Sequence, residues 1–160
     1  MNGLLWIDLF VIYMLVMIIL VPRPAIIRLL PVGIFGGFGQ AIVTLGLLVT
    51  VFGLWRFNHD NVFALAGIPV FIALAWIPEV IVFSYYLEHL STQGEIYAFL
   101  TAFSVMTALF VHWLYKADFL AYPGWNSFLT IPVAFLLHLS VAYYVLKIYG
   151  SFRNGAKEVK

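Results

Sequence analysis

The sequence predicts an all-α fold: an integral membrane bundle of five transmembrane helices, N-terminus outside and C-terminus cytoplasmic. Three observations predict it. Of 160 residues, 64% are hydrophobic and 9% are charged, against about 25% charged in a soluble domain. Too little polar surface remains to face water, and mean hydropathy is +1.05. Five apolar stretches each approach the roughly 20 residues that cross about 30 Å of hydrocarbon as a helix. The basic residues, finally, divide unequally between the loops.

The spans are expected at about 4–21, 30–54, 63–86, 96–115 and 128–149. Span one ends at Pro22-Arg23-Pro24, span two at Trp55-Arg56, and span three before Glu88-His89. The stretches are continuously apolar rather than alternating, and an open sheet would leave backbone groups unpaired in lipid, so helices are expected. Span one has no basic leading region and no small-residue cleavage site, which argues for a retained helix over a signal peptide. Short links such as Ser91-Thr92-Gln93-Gly94 and Tyr122-Pro123-Gly124-Trp125-Asn126 join antiparallel neighbours. Residues 1–150 thus form one transmembrane helical domain, and 151–160 a solvated cytoplasmic tail.

With five spans, Arg23, Arg28, Lys147, Arg153, Lys157 and Lys160 share one side, and only Arg56 and Lys116 lie on the other. The richer side is expected in the cytoplasm. Trp6, Trp55, Trp113, Trp125, Tyr115 and Tyr122 fall near outer span ends, as an interfacial aromatic belt does. A net charge of +1 and no Cys exclude a nucleic-acid binder, disulfides and thiolate ligands. Membrane lipids are the expected surroundings, and no cofactor or metal is expected.

Span two carries Gly33, Gly37, Gly39 and Gly46, a face on which helices approach closely. Packing within the chain's own bundle and a homo-oligomer through this face are the two readings. Pro69, Pro78 and Pro132 each remove a helical hydrogen bond and predict kinks in spans three and five.

Polar groups inside spans are costly, at least ~2.5–3.5 kcal/mol for a charge at the bilayer centre, and so mark candidate sites. The intramembrane candidates are Glu79, His138 and Gln40. Glu79 follows Pro78 deep in span three, and it is expected to face inward toward span five and His138. Asp8, His59, Asp60 and His112 are outer-face candidates. Mixed His/Asp side chains suit a divalent ion, but no tight ligand spacing occurs here, and a polar turn explains His59 and Asp60 equally. No nucleophile–base pair or phosphate-cradling loop is present, so the catalytic residues, if any, are not identified.

The run Gly53-Leu54-Trp55-Arg56-Phe57 through Asn61 to Ile77-Pro78, followed by Tyr122-Pro123-Gly124-Trp125-Asn126-Ser127, resembles an uncharacterised family of small five-span membrane proteins of Gram-positive, often spore-forming bacteria. The resemblance implies the same architecture and a place in the bacterial cytoplasmic membrane, and it carries no assigned activity. Pro78-Glu79 is more weakly similar to the Pro-acid motif of membrane-embedded lycopene cyclase-type proteins, from which the chain departs in having a single acid. The leading expectation is a non-enzymatic structural or accessory membrane component. The alternatives are a small transporter or channel component using Glu79 and His138, or a membrane enzyme acting on an isoprenoid or lipid.

Overall fold

The computed structural model describes residues 4–58 and 63–149. It is mostly helical. Helix α1 is Leu5–Leu20, α2 is Arg23–Val51, α3 is Val70–Leu87 and α4 is Gln93–Lys116. Helix α5 is Ser127–Tyr143, continued by a π-helical turn over Tyr144–Tyr149. Helices α2 to α5 are long and apolar enough to cross a membrane, whereas α1 has 16 residues. At 1.5 Å per residue α1 is about 24 Å long.

Two expected boundaries are corrected. Span two was expected over 30–54, but its helix starts at Arg23 and ends at Val51. Pro24 sits in the first turn, where a missing N–H costs nothing, so Pro22-Arg23-Pro24 both ends one helix and begins the next. Gly53, at φ +61, turns the chain out of the helix. Span three was expected from 63, yet β2 (Ala64–Leu65) and β3 (Ile68–Pro69) form an antiparallel hairpin there. Ala66 (φ 52) and Gly67 (φ 76) supply the two positive dihedrals of a two-residue hairpin turn. Pro69 therefore precedes α3 instead of kinking it, while Pro78 and Pro132 lie within α3 and α5.

Helix α3 is the most buried of the long helices, with α1 and α2 packed on it and α4 and α5 packed together as a hairpin. The α2–α3 contact depends on glycine. A Cβ on Gly37 would lie 2.5 Å from the Trp76 carbonyl oxygen, and one on Gly33 2.8 Å from Ile81 Cγ1 and 3.0 Å from the Ile77 oxygen. Both glycines thus serve packing inside the chain, where π-helical turns over Gly33–Gly39 and Gly46–Val51 reshape α2. Gly46 has nothing within 4 Å of such a Cβ.

The two ends of the bundle are tied differently. At one end Arg28 of α2 forks onto Glu88, just after α3, with hydrogen bonds of 3.1 and 2.5 Å. Nearby, Thr92 and Glu95 form a reciprocal capping box that starts α4. At the other end β1 (Arg56–Phe57) pairs with β4 (Leu120–Ala121), joining the segments that follow α2 and α4. Trp6 packs edge-on against Phe57 and Phe119 beneath this pair. Tyr122 stacks on Tyr115 at 4.7 Å, and burial pushes its phenol pKa up.

Gly37→Leu is expected to lower stability by about 1–3 kcal/mol, because the backbone of α3 has to move. Gly46→Ala is expected to stay within about 1 kcal/mol of the parent or exceed it. Thermal unfolding of both variants in one detergent compares them; equal losses would refute the packing assignment.

Candidate functional site

Contacts with α2 set the rotation of α3. Trp76, Ile77 and Ile81 meet the glycine face of α2, and at about 100° per residue Glu79 points roughly opposite to Ile77 and Ile81. It faces an internal cavity of about 90 Å³ with mainly apolar walls. Each of the five helices contributes a polar side chain: Tyr13, Thr44, Glu79, Thr107 and His138, in chain order.

Glu79 Oε1 lies 4.0 Å from Nε2 of His138, so the structure places the carboxyl toward α5. The far side of the imidazole is fixed by a relay. Ser104 Oγ donates to the Leu100 carbonyl at 2.7 Å and stands 3.3 Å from His138 Nδ1. A hydroxyl has one proton to give, and this one is committed to Leu100. Ser104 Oγ therefore accepts from Nδ1–H, and a neutral His138 turns its Nε2 lone pair to Glu79. Phe83 and Phe103 hold the ring, with centroids at 5.1 and 5.7 Å. Tyr13 stands within electrostatic reach of Glu79.

The other candidates fall into place separately. Gln40 lines the cavity, but its amide donates to Ser140 Oγ at 2.8 Å and to the Leu137 carbonyl at 3.3 Å, so it joins α2 to α5. His112 Nδ1 is 2.7 Å from Ser127 Oγ, a link between α4 and α5. Asp8 is exposed on α1. His59 and Asp60 lie outside the described residues. Among the described residues no three His, Asp or Glu side chains converge as a metal site would require.

Tyr13, Thr44, Ser104 and Thr107 were passed over in the sequence, and Trp55 was read only as an interfacial anchor. Tyr, Ser and Trp are unremarkable in spans, where hydroxyls bond to their own helix and indoles anchor at interfaces. Tyr13 carried the readable signal, since it stands near the middle of a stretch that is apolar on both sides of it from Leu9 to Val21. Trp55 lines the cavity, is buried, and has an indole N–H with no hydrogen-bond partner among the described residues. A donor of this kind costs about 1–3 kcal/mol while unpaired.

The relay fixes a tautomer, and nitrogen NMR reads it directly. In protein labelled with nitrogen-15 at histidine, neutral His138 is expected to show a protonated Nδ1 and a bare Nε2. Ser104→Ala is expected to shift the Nδ1 resonance while the Ala134 backbone partner keeps the tautomer. An Nε2–H form in the parent protein would refute the assignment.

Comparison with family models, with curated proteins and with solved structures finds no match for the chain.

Proposed function

We propose that the chain is a five-span protein of the bacterial cytoplasmic membrane and works as a small transporter or channel component through Glu79 and His138. The observation that carries this reading is the cavity: five helices each turn a polar group into one apolar-walled space around a carboxyl. A bundle built only to hold its own shape gains nothing from that arrangement, because polar groups in lipid are costly. Glu79 has no hydrogen bond among the described residues, and the imidazole of His138 stands 4.0 Å from it. Such a carboxyl takes up and releases a proton or a ligand without first breaking a structural bond.

The topology is part of the proposal. Helix α1 is short, but its apolar length approaches the hydrocarbon thickness, and its first turn packs on the strand-paired end through Trp6. Counting α1 as a span puts Arg23, Arg28 and Lys147 on one side with the tail, which the positive-inside rule assigns to the cytoplasm. The ion pair supports this, since Arg28 supplies the basic partner that the loop containing Glu88 lacks. On the lipid side, the open face at Gly46 suits contact with a second copy.

Protein in liposomes under an imposed pH gradient tests the reading. The parent chain is expected to dissipate the gradient at least several times faster than Glu79→Gln, whose side chain is nearly isosteric. Native mass spectrometry of protein taken from membranes is expected to show a retained small molecule that Glu79→Gln loses. Equal gradient decay in the two proteins would refute a transport role for Glu79.

A further inference from the structure

We infer that the cavity binds a short-chain primary alkylammonium ion between Glu79 and His138, taken up in exchange for a proton; the inference rests on the transport reading above. Two acceptors face each other in the cavity. The Ser104 relay leaves Nε2 of a neutral His138 as a lone pair, and Oε1 of Glu79 lies opposite at 4.0 Å. Two acceptors with no hydrogen between them repel, so the pair requires either a proton on Glu79 or a donor from outside.

The spacing selects the donor. With hydrogen bonds of about 2.8 Å to each acceptor, a nitrogen placed between them subtends about 90°. The N–H bonds of an ammonium diverge at about 109°, so each hydrogen bond bends by roughly 10°, well within tolerance. One –NH₃⁺ group therefore satisfies both acceptors and neutralises the carboxylate. A water molecule can also donate to both acceptors but leaves the carboxylate charge unbalanced, whereas a quaternary ammonium has no N–H to give and an alcohol has a single O–H.

Charge and size agree with this choice. No Lys or Arg lines the cavity, so nothing else there balances an ionised Glu79. The groups that surround it are Tyr13 from α1, Gln40 and Thr44 from α2, Thr107 from α4 and His138 from α5. Of these only Tyr13 and His138 titrate. An apolar cavity of about 150 Å³ admits benzene. At that spacing the 90 Å³ here holds about four non-hydrogen atoms, the size of propylammonium. Leu45, Leu48, Ile72 and Val111 line the same cavity further along and keep its walls aliphatic. The exchange balances: the Glu79 carboxyl releases one proton as one ammonium arrives, and the charge of the site is unchanged.

The test uses purified full-length protein in detergent with radiolabelled propylammonium and equilibrium dialysis at pH 8. Saturable one-to-one binding is expected at pH 8, and at pH 6, where protons compete for Glu79, ion binding is expected to release protons into weakly buffered indicator solution. Lowering the pH to 6 is expected to weaken binding, because protons compete for Glu79. A hundredfold excess of tetramethylammonium or potassium is expected to leave binding unchanged, and this arm needs no variant to fold. Glu79→Gln is expected to lose at least tenfold in affinity and His138→Leu at least fivefold, with circular dichroism verifying their helicity. Absence of saturable binding, displacement by tetramethylammonium, or unchanged binding by Glu79→Gln would each overturn the inference. If the Glu79-dependent proton flux in liposomes persists in that event, only the ligand class falls; if the flux is absent as well, the transport reading falls with it.

Discussion

The close approach of α2 to α3 is the contact on which the rest of the structure depends. Gly33 and Gly37 bring α2 against the carbonyls of Trp76 and Ile77, so near that any side chain would collide with them. In a bilayer, where helices gain little from hiding apolar surface from lipid, such tight packing is a main source of association. It also sets the rotation of α3. With Ile77 and Ile81 turned to α2, Glu79 has to face the interior. A structural contact on one side of the helix thereby determines the chemistry on the other.

The interior polar groups divide into two kinds. Gln40, Ser104 and His112 have found partners and act as ties between helices. Glu79, the Nε2 side of His138 and the Trp55 indole retain unused hydrogen-bonding capacity around one cavity. Satisfied groups of the first kind stabilise a bundle modestly, at about 0.6–2 kcal/mol each. Unsatisfied groups cost stability; Ser84 Oγ, buried in α3, is a further one outside the cavity, and the three around one cavity mark it as the candidate site.

The helical class was legible because apolar runs of this length have few alternatives in lipid. The inward direction of Glu79 was legible for a related reason: an isolated acid in a span is costly anywhere else. The hairpin at Ala64–Pro69 was hidden, since its residues are as apolar as the span they precede and hydropathy does not separate strand from helix. The start of α2 was hidden because Pro24 stops one helix and is tolerated in the first turn of another. The Ser104 relay was beyond reach. It depends on α4 and α5 lying side by side, and 34 residues separate Ser104 from His138.

The two ends of the bundle are held by different physics. Backbone hydrogen bonds between β1 and β4, backed by aromatic packing, are almost indifferent to dissolved ions. The Arg28–Glu88 fork at the opposite end is partly exposed, and it weakens as the screening length shortens from about 10 Å at 0.1 M salt to about 3 Å at 1 M. Ionic strength therefore acts on this bundle from one end only, and gently, because a part-buried pair in direct contact is screened far less than separated surface charges.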